Sequence, residues 1–311
     1  MEQYLLRTRN ASEKYLDRGF KYFVALTASL VAFVLFAIFA TIFTGSIPSI
    51  TKYGIDFLIT SDWNPVNDNY GAFASISGTI VSSLFAIAIA VPLAVGTAIY
   101  ITEDILPFKI RYAIGLTIEL LAAIPSVVLG LWAIFILEPF IRPFLILLNH
   151  YFSWLPIFST KPIGPGMAPA ILILVIMILP IITSISRDSL NQVPHNLKEA
   201  CYGIGATRWS TIFNVQIPAA LSGIAGGVLL ALGRAMGETM AVTMIIGNSN
   251  TFSWSILAPG NTISSMLANQ FGEADGGQVS SLMYAALVLM ILTLLVNVFA
   301  QLIVKKLSLK Y

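Results

Sequence analysis

The chain has 311 residues, of which 57% are hydrophobic and only 10% charged, whereas soluble domains average about 25% charged residues. These values exclude an ordinary soluble fold, because long apolar runs with almost no charge leave no face for water. The small formal net charge of +2 argues against nucleic-acid binding, and a single cysteine excludes an intramolecular disulfide. Two isolated histidines provide no ligand cluster, which argues against metal and redox chemistry.

Six apolar stretches are long enough to cross, as helices, a hydrocarbon core about 30 Å thick. The first exceeds the apolar core of a signal peptide, about 7 to 15 residues, so we expect it to be retained. The sequence therefore predicts an all-α integral membrane protein with an N-terminal segment, 1–21, and one transmembrane domain, 22–311. The predicted spans are 22–44, 72–101, 112–137, 167–186, 219–247 and 281–304.

Lys and Arg are unevenly distributed between these spans. If the N-terminus is cytoplasmic, thirteen basic residues lie in inner segments and three in outer ones, which predicts that both termini are cytoplasmic. The outer three are Lys52, Arg142 and Lys161. The inner thirteen are Arg7, Arg9, Lys14, Arg18, Lys21, Lys109, Arg111, Arg187, Lys198, Arg208, Lys305, Lys306 and Lys310.

Two features do not fit upright spans. The second span would measure about 45 Å as a helix, so Pro92 is expected to kink it or its outer end to project from the bilayer. Two outer segments, 144–158 and 253–271, mix Trp, Pro and Gly with apolar residues. We expect these segments to be interfacial lids rather than further crossings.

Polar residues also occur at membrane depth. Glu119, in the third span, either pairs with a partner chain or with Arg234, or takes part in a hydrogen bond between helices. The second span carries five hydroxyl side chains that either line a wet path or bond back to helix carbonyls. These are Ser75, Ser77, Thr79, Ser82 and Ser83.

The longest inner segment between spans contains two helical patterns. Pro194 suits the first turn of one helix, and Gly203 and Gly205 suit its end. Thr207 can cap a second helix, which we expect to end before Pro218. The segment therefore predicts an L-shaped helix pair on the inner face of the membrane.

This segment, 187–218, resembles the EAA loop of ABC-importer permeases, E-A-A-x3-G-x9-I-x-L-P. It differs by Cys for the second Ala, Val for Ile and Ile for Leu. The resemblance implies a coupling loop that docks on an ATPase subunit, where small residues allow close approach and the acid can pair with a basic groove. The alternative is an ordinary amphipathic loop on lipid headgroups. The matching residues are Glu199, Ala200, Cys201, Gly205, Val215, Ile217 and Pro218.

The fifth span places two charges inside an apolar run. A lone charge at a helix centre costs about 2.5 to 3.5 kcal/mol, and Arg234 and Glu238 at helical spacing of four can compensate each other. One interpretation is a structural ion pair, with nearby glycines permitting close packing. The other is that this face borders a translocation path or gate, where a guanidinium attracts an oxyanion. On one helix, Gly223, Gly227, Arg234, Glu238 and Ala241 share an arc of roughly 60°.

Two longer stretches, 233–248 and 78–103, resemble permease subunits of bacterial phosphate importers of the ABC family. The resemblance implies a type I ABC importer permease fold, a multi-pass location in the bacterial inner membrane and inorganic phosphate as substrate. It further implies a path or gate near Arg234, Glu238 and Glu119. The implied partners are an ATPase subunit dimer, a second permease subunit and an external phosphate-binding protein.

Other functions leave signatures that are missing. No Gly-Lys dipeptide occurs, so the chain has no P-loop and is expected to be a transport subunit without its own ATPase site. The two histidines lie in segments on opposite predicted sides, which excludes a Ser-His-Asp or Cys-His site. The alternatives are a permease for molybdate or sulfate, a secondary transporter with Glu119 and Glu238 as proton sites, and a membrane-embedded phosphatase or transferase.

Overall fold

The computed structural model describes residues 11–103 and 105–307. Residues 1–10 of the predicted N-terminal segment, with Arg7 and Arg9, lie outside the described residues, as do Lys310 and the side chain of Lys14. The described chain forms helices and one antiparallel strand pair, β1 (Trp63–Asn64) with β2 (Asn69–Tyr70). The helices are α1 (Ala11–Tyr53), α2 (Asp56–Ile59), α3 (Phe73–Thr102), α4 (Phe108–Ala122), α5 (Ser126–Trp132), α6 (Glu138–Phe152), α7 (Met167–Asn191), α8 (His195–Gly203), α9 (Arg208–Thr211), α10 (Ile217–Gly237), α11 (Met240–Ile245), α12 (Ile263–Gln270) and α13 (Gly276–Leu307).

Six helical stretches of the described chain are long and apolar enough to cross a membrane, which confirms the predicted number. The first, second, fourth and sixth predicted spans correspond to the single helices α1, α3, α7 and α13. α3 begins just after β2 and ends beside α8, so these elements mark opposite ends of the bundle. We call them the hairpin end and the loop end.

The predicted third span, 112–137, is not one helix. α4 stops at Ala122 and α5 starts at Ser126, because Pro125 lacks an N–H and disfavours helical geometry in the residue before it. The stretch that is long and apolar enough to cross the membrane begins with α5 and runs through a π-turn, Ala133–Leu137, into α6. It does not include α4. Most of the segment predicted as a lid, 144–158, is therefore the last part of this crossing helix.

The predicted fifth span, 219–247, also has different limits. α9, a π-turn at Ile212–Gln216 and α10 form one continuous helical stretch that begins at Arg208 and ends at Gly237. Glycine is a poor helix former, and the next residue, Glu238, is extended with φ −67° and ψ 125°. The helix restarts only as the short α11.

The other segment predicted as a lid, 253–271, is inserted among the helices, and residues 261–266 are all buried. The backbone N–H of Ile263 donates to Thr79 Oγ1 at 3.0 Å, and Ser264 Oγ donates to the carbonyl of Met236 at 3.0 Å. A Cβ on Gly78 would collide with the carbonyl of Asn261. As expected, the segment is not among the candidate crossings of the described chain. Residues 261–266 are nevertheless not an interfacial lid, and hydroxyls and carbonyls from other helices satisfy backbone there that would otherwise need water.

The core lies between α7 and α3. Two-thirds of the apolar window of α7, 67%, is buried, and Ala86, Ala90 and Ala94 on α3 are fully buried in the same cluster. Small residues at a spacing of four allow helix backbones to approach closely. α1 is peripheral, since no residue of its apolar window is buried and it packs along α13.

Candidate functional site

Arg234 and Glu238 are not neighbours on one helix face, because α10 ends between them. Among the residues that the structure describes, no ion pair joins them. Glu238 instead accepts a hydrogen bond from the N–H of Ala241 at 3.4 Å, in the first turn of α11. A carboxylate is favoured there, because the first N–H groups of a helix have no partner within it. The predicted mutual compensation is therefore replaced by a hydrogen bond from the first turn of α11 to Glu238.

Arg234 faces an open cavity of 740 Å³ between α10 and α13. The polar side chains along it are Arg234, Asn297 and Gln301, and the described lining contains no acid. The side-chain oxygen of Asn297 is buried without a hydrogen-bond partner in the described structure. An arginine at membrane depth needs water or polar partners, and an open cavity with two amide side chains along it meets that need.

The sequence interpretation missed Asn297 and Gln301. Their signal was available, since two amides at a spacing of four interrupt an apolar run in the sixth span. What the sequence lacks is the information that their face meets Arg234 on another helix.

The glycines of α10 have different roles. A Cβ on Gly223 would collide with the Ser189 side chain, and one on Gly227 would lie 3.0 Å from Ile185, so both allow close packing against α7. A Cβ on Gly233 would lie 3.8 Å from the amide nitrogen of Asn297, and a Cβ on Gly237 would meet nothing within 4 Å. The packing interpretation therefore holds for the first two glycines, and the second two border the cavity and the helix end.

Glu119 lies on α4 and is far from buried, with 62% of its side chain exposed. Its carboxylate lies 3.4 Å from the guanidinium of Arg187 on α7, not against Arg234. Both residues line a 340 Å³ cavity that also contains Arg111. The described residues contain no group of three or more His, Cys, Asp or Glu side chains suited to a metal ion.

The hydroxyls of the second span bond within the protein. Ser83 donates to the carbonyl of Thr79 at 2.7 Å, and Thr79 donates to that of Ser75 at 2.7 Å. Ser75, Thr79, Ser82 and Ser83 are all buried. Of the two alternatives, the geometry favours bonding back to the helix over lining a path.

The coupling loop has the two helices that the sequence predicts. α8 follows Pro194 and contains no buried residue, so Glu199 and Ala200 are exposed and Cys201 is half-buried. Gly205 has φ +85°, which favours glycine, and Ile204 beside it is 87% exposed. Thr207 caps α9 by accepting from the N–H of Ser210 at 3.3 Å.

The second helix of the loop does not end before Pro218, which is a correction. Pro218 lies in the first turn of α10, directly after the π-turn Ile212–Gln216. A proline cannot donate the usual helical hydrogen bond, and a π-turn locally shifts the bonding pattern so that the helix continues. The coupling loop is thus directly continuous with the helix that carries Arg234.

Comparisons with known proteins agree with this architecture. A family model described as binding-protein-dependent transport system inner membrane component matches residues 106–309. The phosphate transport system permease protein PstC of Mesorhizobium japonicum is 45% identical over 280 residues, covering 88% of this chain and 85% of the relative. PstC of Pasteurella multocida is 39% identical over 311 residues, and the match covers 97% of this chain and 96% of the relative.

Solved structures are similar in fold. A bacterial alginate ABC transporter, in complex with an alginate pentasaccharide-bound periplasmic protein, has a chain with a TM-score of 0.64 at 14% identity, covering 95% of this chain and 97% of that one. A chain of the inward-facing MetNI methionine ABC transporter has a TM-score of 0.54 at 20% identity, and the match covers 77% of this chain and 95% of that one. At these identities the likeness concerns the fold alone.

Proposed function

The chain belongs to the family of binding-protein-dependent transport system inner membrane components as a permease subunit of a phosphate ABC importer, and from that premise we propose how its residues carry phosphate. Arg234 forms a weak oxyanion site on the path, Glu238 lies at its gate, and the coupling loop receives movement from the ATPase. The observation that carries the proposal is the unpaired guanidinium of Arg234 in a cavity whose described lining has no acid.

Family membership implies an ATPase, a second permease subunit and a substrate-binding protein. We propose that these are PstB-like, PstA-like and PstS-like proteins in a bacterial inner membrane. The loop end then faces the cytoplasm, where ATP is hydrolysed, and the hairpin end faces the binding protein. The cavity at Arg234 is open on one side, so the second permease subunit would complete its wall.

The site is suited to phosphate passing through rather than staying. A guanidinium offers two parallel N–H donors to an oxyanion, and the amides of Asn297 and Gln301 supply further polar groups. Glu238 lies just beyond the end of α10, where its charge opposes a second resident anion. The two non-helical residues between α10 and α11, Glu238 and Thr239, give this acid a place to move as the helices rearrange.

Glu119 takes a different position in this proposal. Its pair with Arg187 joins α4 to α7 beside Arg111, closer to the loop end than the cavity of Arg234. We assign it to the exit side of the path, where the two arginines attract the anion and Glu119 limits its residence.

The test is phosphate uptake by the assembled importer in proteoliposomes with Arg234→Ala or Glu238→Ala. We expect uptake to fall about tenfold or more, equivalent to the loss of about 1.4 kcal/mol from one charge-assisted contact. Lys161→Ala is the matched control, because it removes an exposed positive charge away from the cavity. Normal uptake by both variants in an intact complex would defeat the path assignment, and uptake inhibited equally by sulfate or molybdate would broaden the substrate class.

A further inference from the structure

α8 is weakly attached to the helices of the bundle. None of its residues is buried, and only Lys198 and Cys201 are half-buried, on one face. A cleft of 810 Å³ lies beside it, with Thr102 and Glu103 among its lining residues, together with Lys198. Few apolar contacts are therefore available to move the bundle when α8 moves.

One ion pair spans this cleft. Lys198 Nζ lies 2.6 Å from Glu103 Oε1, and the two side chains are only 15% and 9% exposed. Glu103 is the extended residue that directly follows α3, and its N–H donates to the carbonyl of Ile99 at 2.9 Å. The contact therefore joins Lys198, the fourth residue of α8, directly to the C-terminal end of α3.

Helix-end electrostatics do not explain this arrangement. The C-terminal end of α3 carries partial negative charge and disfavours the carboxylate of Glu103, while a lysine near the start of α8 meets partial positive charge. Reversed charges would suit both helix ends better. The native orientation therefore depends on the pairing of the two side chains, and a low-exposure pair is screened little by solvent.

The geometry points to Glu103 and Lys198 as the tie that transmits movement of α8 to α3. This inference rests on the proposed role of α8 as the coupling helix. Because α3 packs along its length against α7 and also against α10, a pull on Glu103 reaches the helix that carries Arg234. Both residues are positioning residues, since neither lines the cavity at Arg234 where the proposed phosphate path runs.

The test measures phosphate imported per ATP hydrolysed by the purified complex in proteoliposomes. In Glu103→Gln and Lys198→Met we expect ATP hydrolysis to continue and the transport ratio to fall about fivefold or more, the lower bound for a typical coupling between sites. Lys109→Met is the control, because Lys109 is an exposed lysine on α4 that lines neither the cleft beside α8 nor the cavity at Arg234. We expect its ratio to match that of the wild type.

The reversed pair, Glu103→Lys with Lys198→Glu, decides the case if a single variant fails to assemble. We expect it to restore subunit level and transport ratio, because both helix ends accept the new charges. A reversed pair no better than the single variants, or single variants with an unchanged ratio, would overturn the inference. Absence of ATP-dependent uptake in the wild-type complex would instead defeat the proposed function.

Discussion

Two glycines of segment 187–218 offer a direct test of backbone conformation at the proposed contact with the ATPase. Gly205 has φ +85°, whereas the φ of Gly203 lies outside the positive range, and a Cβ at either position meets nothing within 4 Å. Alanine therefore adds the same group to open space in both cases. Only at residue 205 does it oppose the backbone conformation, at a cost of about 1 to 2 kcal/mol.

That cost predicts the size of the effect. If docking on the ATPase requires the observed loop conformation, Gly205→Ala should weaken association by about 5- to 30-fold. Gly203→Ala should bind as tightly as the wild type or slightly tighter, because alanine favours the end of α8. Gly205→Asn should fall between, since this chain already has Asn248 at φ +50°.

The assay is equilibrium binding of the ATPase subunit to the permease pair in nanodiscs. Equal weakening by both alanine variants would mean that surface shape, not backbone conformation, limits docking. Full affinity of Gly205→Ala would refute the reasoning, because the turn would then be free to change at no cost.

Two further predictions concern the fold. Gly78→Ala should displace the inserted segment 253–271, since the new Cβ would collide with the carbonyl of Asn261. Gly96→Ala on the same helix is the control, because its Cβ would meet nothing within 4 Å. Protease cleavage near residue 261 should increase only in Gly78→Ala. Phe57→Ala should lower the free energy of unfolding by about 3 to 5 kcal/mol, because Phe57 is fully buried and its ring stacks on that of Tyr284 with 4.4 Å between ring centroids. An unchanged melting temperature would contradict this packing.

The number of spans could be predicted because bilayer thickness and hydropathy fix it almost alone. The break before α5 follows locally from Pro125. The break after Gly237 does not follow from glycine alone, since Gly227 and Gly233 stay inside α10. The insertion of residues 253–271 could not be predicted, since its partners Thr79 and Met236 are distant in sequence.

The site shows the same division between local and distant information. Arg234 and Glu238 were identifiable as costly charges, but their pairing assumed a continuous helix. Arg187 as the partner of Glu119, and Asn297 beside Arg234, required the tertiary arrangement.

The peripheral position of α1 has a consequence for biosynthesis. Its main contacts with another helix are with α13, including Ser49 Oγ to Ser281 Oγ at 3.0 Å across 232 residues of sequence. The ribosome completes α13 after every other described helix. The central helices α3, α7 and α10 can associate in the bilayer while α1 still waits without its partner. The first described helix to enter the membrane is therefore among the last to reach its final place, and a pause in translation before α13 leaves it available to chaperones or proteases.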